Sequence, residues 1–123
     1  MIEQYVGIEY KFNGRDRHGV DCYGLVWLVE KELFGKELPI LGDLPNKDRV
    51  ETFAENRALI PGTEVQEPAD GDVVLLFVQN MPTHVGVYWD HGVLHASDGR
   101  GVVYEKLSSR FMRRFDKKEF YRV

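Results

Sequence analysis

The stretch His18–Gly35, HGVDCYGLVWLVEKELFG, carries the only cysteine of the chain, Cys22, and its reading decides how the remainder is organised. From Cys22 onward the apolar residues Leu25, Val26, Val29, Leu33 and Phe34 recur at helical spacing. Asp21 is suited to cap the start, because its carboxylate can accept from the unpaired N–H groups of a first turn. Gly35 is suited to end the helix, because glycine enters the left-handed conformation without strain. The stretch therefore predicts a helix of about four turns with the thiol in its first turn. That position brings sulfur close to free N–H groups and the positive helix end, which lowers a thiol pKa. A free cysteine is equally a common small buried hydrophobe, and position alone leaves both readings open. Asp21 works against a thiolate unless its carboxylate is turned away to cap the helix. Gly24, just beyond, leaves room for another segment to approach.

Working outward, Tyr5–Ile8 is a short helix or an extended arm, and the polar run Asn13–Gly19 is a loop. Lys36–Asn46, with its prolines and glycine, is a connector. Lys47–Leu59 supports a second, weaker helix through Val50, Phe53, Ala54 and Arg57, ended by Pro61. Glu64–Asp70 reads as a loop. GDVVLLFVQ, from Gly71, is rich in β-formers and reads as a buried strand. THVGVYW (Thr83–Trp89), a turn at Asp90-His91-Gly92 and VLHAS (Val93–Ser97) form a hairpin. After a turn at Asp98–Gly101, Val102–Glu105 is a candidate strand, and Glu119–Val123 closes the sheet. Helices precede strands. The expectation is a single α+β domain over residues 1–123, with N-terminal helices packed on a mostly antiparallel sheet.

Four histidines are present. His18 and His91 sit in polar, turn-like surroundings and read as surface residues. His84 and His95 fall inside the two arms of the hairpin. Side chains alternate along a strand, so a loop of two or four residues puts both rings on one face as direct or diagonal neighbours. Two imidazoles on one face, with a thiol at a helix tip, match a nucleophile, its base and a group that orients the base. The same three residues could form a zinc set with one open position. Zinc sites legible in sequence usually show closely spaced ligand pairs, which are missing here, so neither a metal nor another cofactor is expected. Asp70 and Asp72 flank Gly71 and are explained by turn chemistry.

Composition narrows the field further. Sixteen Lys and Arg against 20 Asp and Glu give a formal net charge of −4, so nucleic acid is not an expected partner. One cysteine excludes an internal disulfide. No apolar run reaches the roughly 20 residues that span a bilayer, so membrane insertion is not expected. The first residues lack a basic start followed by a long apolar run, which predicts cytoplasmic synthesis without a secretory signal. Arg110, Arg113, Arg114, Lys117 and Lys118 read as a solvated basic edge and a candidate docking surface.

The blocks YKFNGRDRHGVDCYGLV, THVGVYW and VLHAS, in this order, resemble the NlpC family of papain-like cysteine peptidases. The resemblance covers Tyr5 to Ser97 and is most specific at D-C-x-G-L-V. It implies a papain-like fold, with Cys22 as nucleophile, His84 as general base and His95 as the residue orienting that base. It also implies that Tyr10 lies near the reacting centre and aids the oxyanion. Asp21 and Tyr23, flanking the nucleophile, complete the candidate oxyanion and substrate contacts. The implied substrate is a peptidoglycan stem peptide, commonly cut between γ-D-glutamate and a diamino acid. Many wall-cutting members have serine where this chain has Tyr23. That difference, with LFGKELP and HASDGRGVVYEKLS, is similar to the branch found in phage tails and gene-transfer particles. The implied partners are then tail proteins, and the implied place of action is the particle. A structural tail protein without activity and a thiol amidase or acyl transferase are the alternative functions.

Overall fold

The computed structural model describes residues 1–39 and 62–123. In chain order the elements are a 3₁₀ turn (Ile2–Tyr5), β1 (Arg15–Asp16), β2 (Gly19–Val20), α1 (Cys22–Phe34), β3 (Thr63–Val65), β4 (Val73–Val78), β5 (Met81–Trp89), β6 (Gly92–Ser97), β7 (Gly101–Lys106), a 3₁₀ turn (Phe111–Arg114) and β8 (Lys117–Arg122). The expected second helix, Lys47–Leu59, lies outside the described residues.

The boundaries of α1 follow from its ends. The Asp21 carboxylate accepts from the Gly24 N–H, and Gly35 adopts φ 65°, with its own N–H reaching the Glu30 carbonyl. Lys36 N–H reaches the same carbonyl at 2.9 Å. Leu25, Val26, Leu28 and Val29 of α1 are buried against the sheet.

That sheet has six strands in the order β3-β8-β4-β5-β6-β7, and every pairing is antiparallel. The uninterrupted apolar run of β4 is explained by cover on both faces, which removes the alternation of a half-exposed strand. Val73, Leu75 and Phe77 share the main core with α1, Val85, Val87, Leu94 and Ala96. Val74 and Leu76 face the other way and form a second cluster with Tyr88, Val93 and Met112, flanked by Leu107, Phe111, Phe115 and Phe120.

The expected strands are present, with two differences. Glu64–Asp70 is not wholly loop, because Thr63–Val65 pairs with Phe120–Arg122 as an edge strand. Its short polar sequence has no apolar alternation to reveal it. Within Asn13–Gly19, a two-residue ladder joins Arg15–Asp16 to Gly19–Val20. Among the described residues no helix is long and apolar enough to cross a membrane.

Candidate active site

The geometry begins with the β5–β6 turn. Trp89 faces Gly92, so the turn is the two-residue Asp90–His91, and both residues have positive φ, 43° and 60°. Such a turn matches the twist of the flanking strands. Val87 then faces Leu94 and Tyr88 faces Val93. Even positions of β5 therefore share a face with odd positions of β6, and His84 lies diagonal to His95. Their rings stand edge to face, with centroids 4.9 Å apart and planes at 87°. His84 Nε2 and His95 Nδ1 are 2.9 Å apart, a hydrogen bond.

Two backbone features aim these rings. On β4, Leu76 faces His84 but Phe77 faces Pro82, so Thr83 is an extra, bulged residue directly before His84. Bulges bend a strand and redirect neighbouring side chains. On the other side, a Cβ on Gly86 would come 2.6 Å from Val93 Cγ1 and 3.2 Å from His95 Cβ. Glycine there leaves the space that the His95 strand occupies.

Cys22 and His84 both line one cleft of about 240 Å³, together with Tyr10, Thr83, Ala96, Ser97 and Asp98. Cys22 is 7% exposed, so its thiol forms part of a wall rather than projecting into solvent. Tyr10 is held at the cleft by an isolated bridge to Val20, with Lys11 N–H donating to Val20 O and Val20 N–H to Glu9 O. A second hollow, about 320 Å³, continues from Tyr10 and Asp98 to Glu9, Gly99 and Arg100.

His95 is fully buried. Burial, the largest cause, pulls its pKa down from 6.5 to about 4; Arg100 and Arg114 act in the same direction and Glu105 against it. The ring is therefore neutral at physiological pH. His95 Nε2 is buried with no hydrogen-bond partner among the described residues.

Two of the expected contacts, Asp21 and Tyr23, are not among the residues lining the cleft. Asp21 does not face the cleft. Its Oδ1 accepts from Gly24 N at 2.7 Å and from Arg15 Nη1 at 2.8 Å, and its Oδ2 accepts from Asn13 N at 2.9 Å. These three donors occupy both carboxylate oxygens, and Arg15 pairs with the charge. Tyr23 is also no lining residue. It is fully buried, and its hydroxyl donates to Pro39 O at 2.6 Å. Burial pushes its phenol up to about 12. An aromatic residue after the cysteine thus fills the interior rather than the cleft. Gly24 lets this arrangement close, since a Cβ there would overlap the Gly14 carbonyl oxygen and lie 2.8 Å from Arg15 Nη1.

His18 and His91 are exposed and stand apart from the cleft lining. Among the described residues no group of three or more His, Cys, Asp or Glu side chains is placed to hold a metal ion. Composition hid two aromatic residues that contact the histidines. Phe115 stacks on His84 and Phe111 on His95. Their four-residue spacing was the available signal, masked by the five cations around them.

The pattern described as the NlpC/P60 family matches residues 7–119. The chain is 31% identical over 115 residues to the "Probable endopeptidase NlpC homolog" of Haemophilus influenzae, covering 93% of this chain and 55% of that protein. It is 25% identical over 118 residues to the "Murein DD-endopeptidase MepS/Murein LD-carboxypeptidase" of Escherichia coli, covering 93% of this chain and 57% of that protein. The chain thus spans about half the length of these curated relatives. The crystal structure of the NlpC/p60 domain of peptidoglycan hydrolase SagA superposes with a TM-score of 0.66 at 19% identity, covering 98% of this chain and 92% of that one. That likeness concerns the fold, which is papain-like.

Proposed function

The chain belongs to the NlpC/P60 family, and from that premise we propose that it is a cysteine peptidase hydrolysing the stem peptides of bacterial peptidoglycan. The observation that carries the reading is that Cys22 and His84 line the same cleft, with His84 bonded through Nε2 to a neutral His95. Nε2 being engaged, Nδ1 is the nitrogen of His84 that serves the thiol. The first turn of α1 and an adjacent imidazolium both favour the thiolate, and a His-paired thiol can have a pKa as low as about 3 to 4.

In this mechanism the Cys22 thiolate attacks the amide carbonyl. The Cys22 backbone N–H and the Tyr10 hydroxyl stabilise the oxyanion. His84 gives its proton to the leaving amine, and the peptide's acyl half remains as a thioester on Cys22. Water, deprotonated by His84, then hydrolyses the thioester and restores the thiol. His95 accepts the hydrogen bond from the protonated His84 throughout.

The finer reading is a cut between γ-D-glutamate and a diamino acid, by a protein carried in a phage tail. Its support is the resemblance of the sequence blocks alone. Mass analysis of wall digests tests both levels. Wild type should release peptide fragments, and their masses identify the bond. Cys22→Ser should release none. Equal digestion by both proteins would refute the thiol mechanism. Product masses that place the cut elsewhere would refute the bond assignment alone.

A further inference from the structure

The segment between β7 and β8 reads by composition as a basic edge. In the structure it closes the back of the histidine pair. Phe115 lies parallel to His84, with centroids 6.1 Å apart and planes 5° apart. Phe111 lies against His95 at 4.8 Å and 24°. The two phenyl rings pack edge to face at 5.8 Å and 63°. Together with the perpendicular contact between the imidazoles, the four rings form a closed set in which each touches two others.

The segment is itself anchored. Met112 is 2% exposed and sits in the second core cluster. Phe115 N–H donates to Met112 O at 3.2 Å, and Asp116 N–H to Phe77 O at 3.0 Å. Phe111 is gripped from outside by two guanidinium groups, with Arg114 Cζ 4.1 Å and Arg100 Cζ 5.3 Å from its ring centroid. Arg100 is tied in turn to Glu105 at 2.8 Å.

We infer that Phe111 and Phe115 are positioning residues that hold His84 and His95 perpendicular, with Arg100 and Arg114 locking Phe111 in place. This rests on the reading of Cys22 and His84 as the reacting pair. The physical need is specific. A hydrogen bond between two imidazole nitrogens requires one ring's edge to meet the other in its plane. Each histidine has two rotatable side-chain bonds, so each ring plane can tilt unless packing restrains it. Stacked rings restrict the tilt of each plane. They thereby keep Nε2 of His84 on His95 and leave Nδ1 for Cys22. The charges around His95 are Arg100 and Arg114, which disfavour a proton, and Glu105, which favours one. When His84 is protonated, His95 must accept through Nδ1 and hold its own proton on Nε2.

The test compares Phe111→Leu, which keeps bulk but removes the flat ring, with Phe111→Tyr, which restores it. A third variant, Arg114→Gln, changes an exposed position and removes one grip. Each is measured for melting, for kcat and KM on a purified muropeptide, and for the pH profile of Cys22 alkylation by iodoacetamide. Phe111→Leu should lower kcat about tenfold with KM within about twofold. It should also move the acid limb of the alkylation profile upward by about half a pH unit or more. Phe111→Tyr should behave as wild type. Should Phe111→Leu fail to fold, Arg114→Gln carries the test, with kcat about two- to threefold lower and the limb moved the same way. A folded Phe111→Leu, or in its place Arg114→Gln, with wild-type kcat and profile would overturn the inference alone. A wild-type limb no lower than that of an ordinary thiol would overturn the peptidase reading together with it.

Discussion

Glu30 is a buried acid whose protonation the structure makes measurable. It sits on α1 with 1% of its surface exposed, and its Oε2 has no hydrogen-bond partner among the described residues. Burial first, then the Asp72 anion, push its carboxyl from 4.5 up to about 8, with Lys36 opposing. Glu30 is therefore neutral at physiological pH. Between about pH 4.5 and 8 the native protein holds a proton that the unfolded chain has released. The sign follows directly. The contribution is fully present below the unfolded pKa and is lost as pH rises through the folded one. A shift of this size amounts to about 5 kcal/mol, comparable with the whole stability of a small domain. Glutamine matches the shape and polarity of the neutral acid but cannot ionise. Urea denaturation of wild type and Glu30→Gln at about pH 5, 7 and 9 isolates the effect, because the difference between the proteins cancels every other titrating group. The two should be nearly equal at the acid end. Glu30→Gln should become more stable by several kcal/mol at the alkaline end. A difference that does not change with pH would refute the reasoning.

Other consequences concern the site. His95, pulled down to about 4, should make wild type lose about 3 kcal/mol as pH falls from about 6.5 toward 4. His95→Asn should lack that slope in urea titrations, and an unchanged slope would contradict the burial argument. Tyr23→Phe removes only the bond to Pro39; it should cost about 1 kcal/mol in denaturation and leave KM on a muropeptide unchanged, whereas a raised KM would restore Tyr23 as a substrate contact. Gly24→Ala should cost about 2 kcal/mol or more, because the new methyl meets the Gly14 carbonyl and Arg15. Thermal melting checks this, and a neutral result would mean that the Gly14–Arg15 loop yields freely.

Much of the helix and hairpin was legible because local rules governed them. Asp21 and Gly35 mark the limits of α1 through capping and left-handed backbone, both properties of single residues. The parity of His84 and His95 depends only on the length of the turn between them. What could not be read depends on segments distant in the chain. The direction of the Asp21 carboxylate is set by Asn13 and Arg15, and that of Tyr23 by Pro39. The bulge at Thr83 leaves no mark on composition, because an extra residue in a ladder is visible only against its partner strand. The aromatic backing of the histidines comes from Phe111, which opens a four-residue 3₁₀ turn, and Phe115, the extended residue that follows it, so one four-residue interval was the whole signal. Charge dominated that reading, while two rings and Met112 did the packing.

The pairing of Cys22 with His84 is tested most directly by the rate of Cys22 alkylation as a function of pH, in wild type and in His84→Ala. Wild type should react at a nearly constant rate well below the ordinary thiol range of about 8.5, and His84→Ala should recover a rise centred near about 8.5. Superimposable profiles, both rising only through the ordinary thiol range, would contradict the pairing and with it the proposed hydrolase.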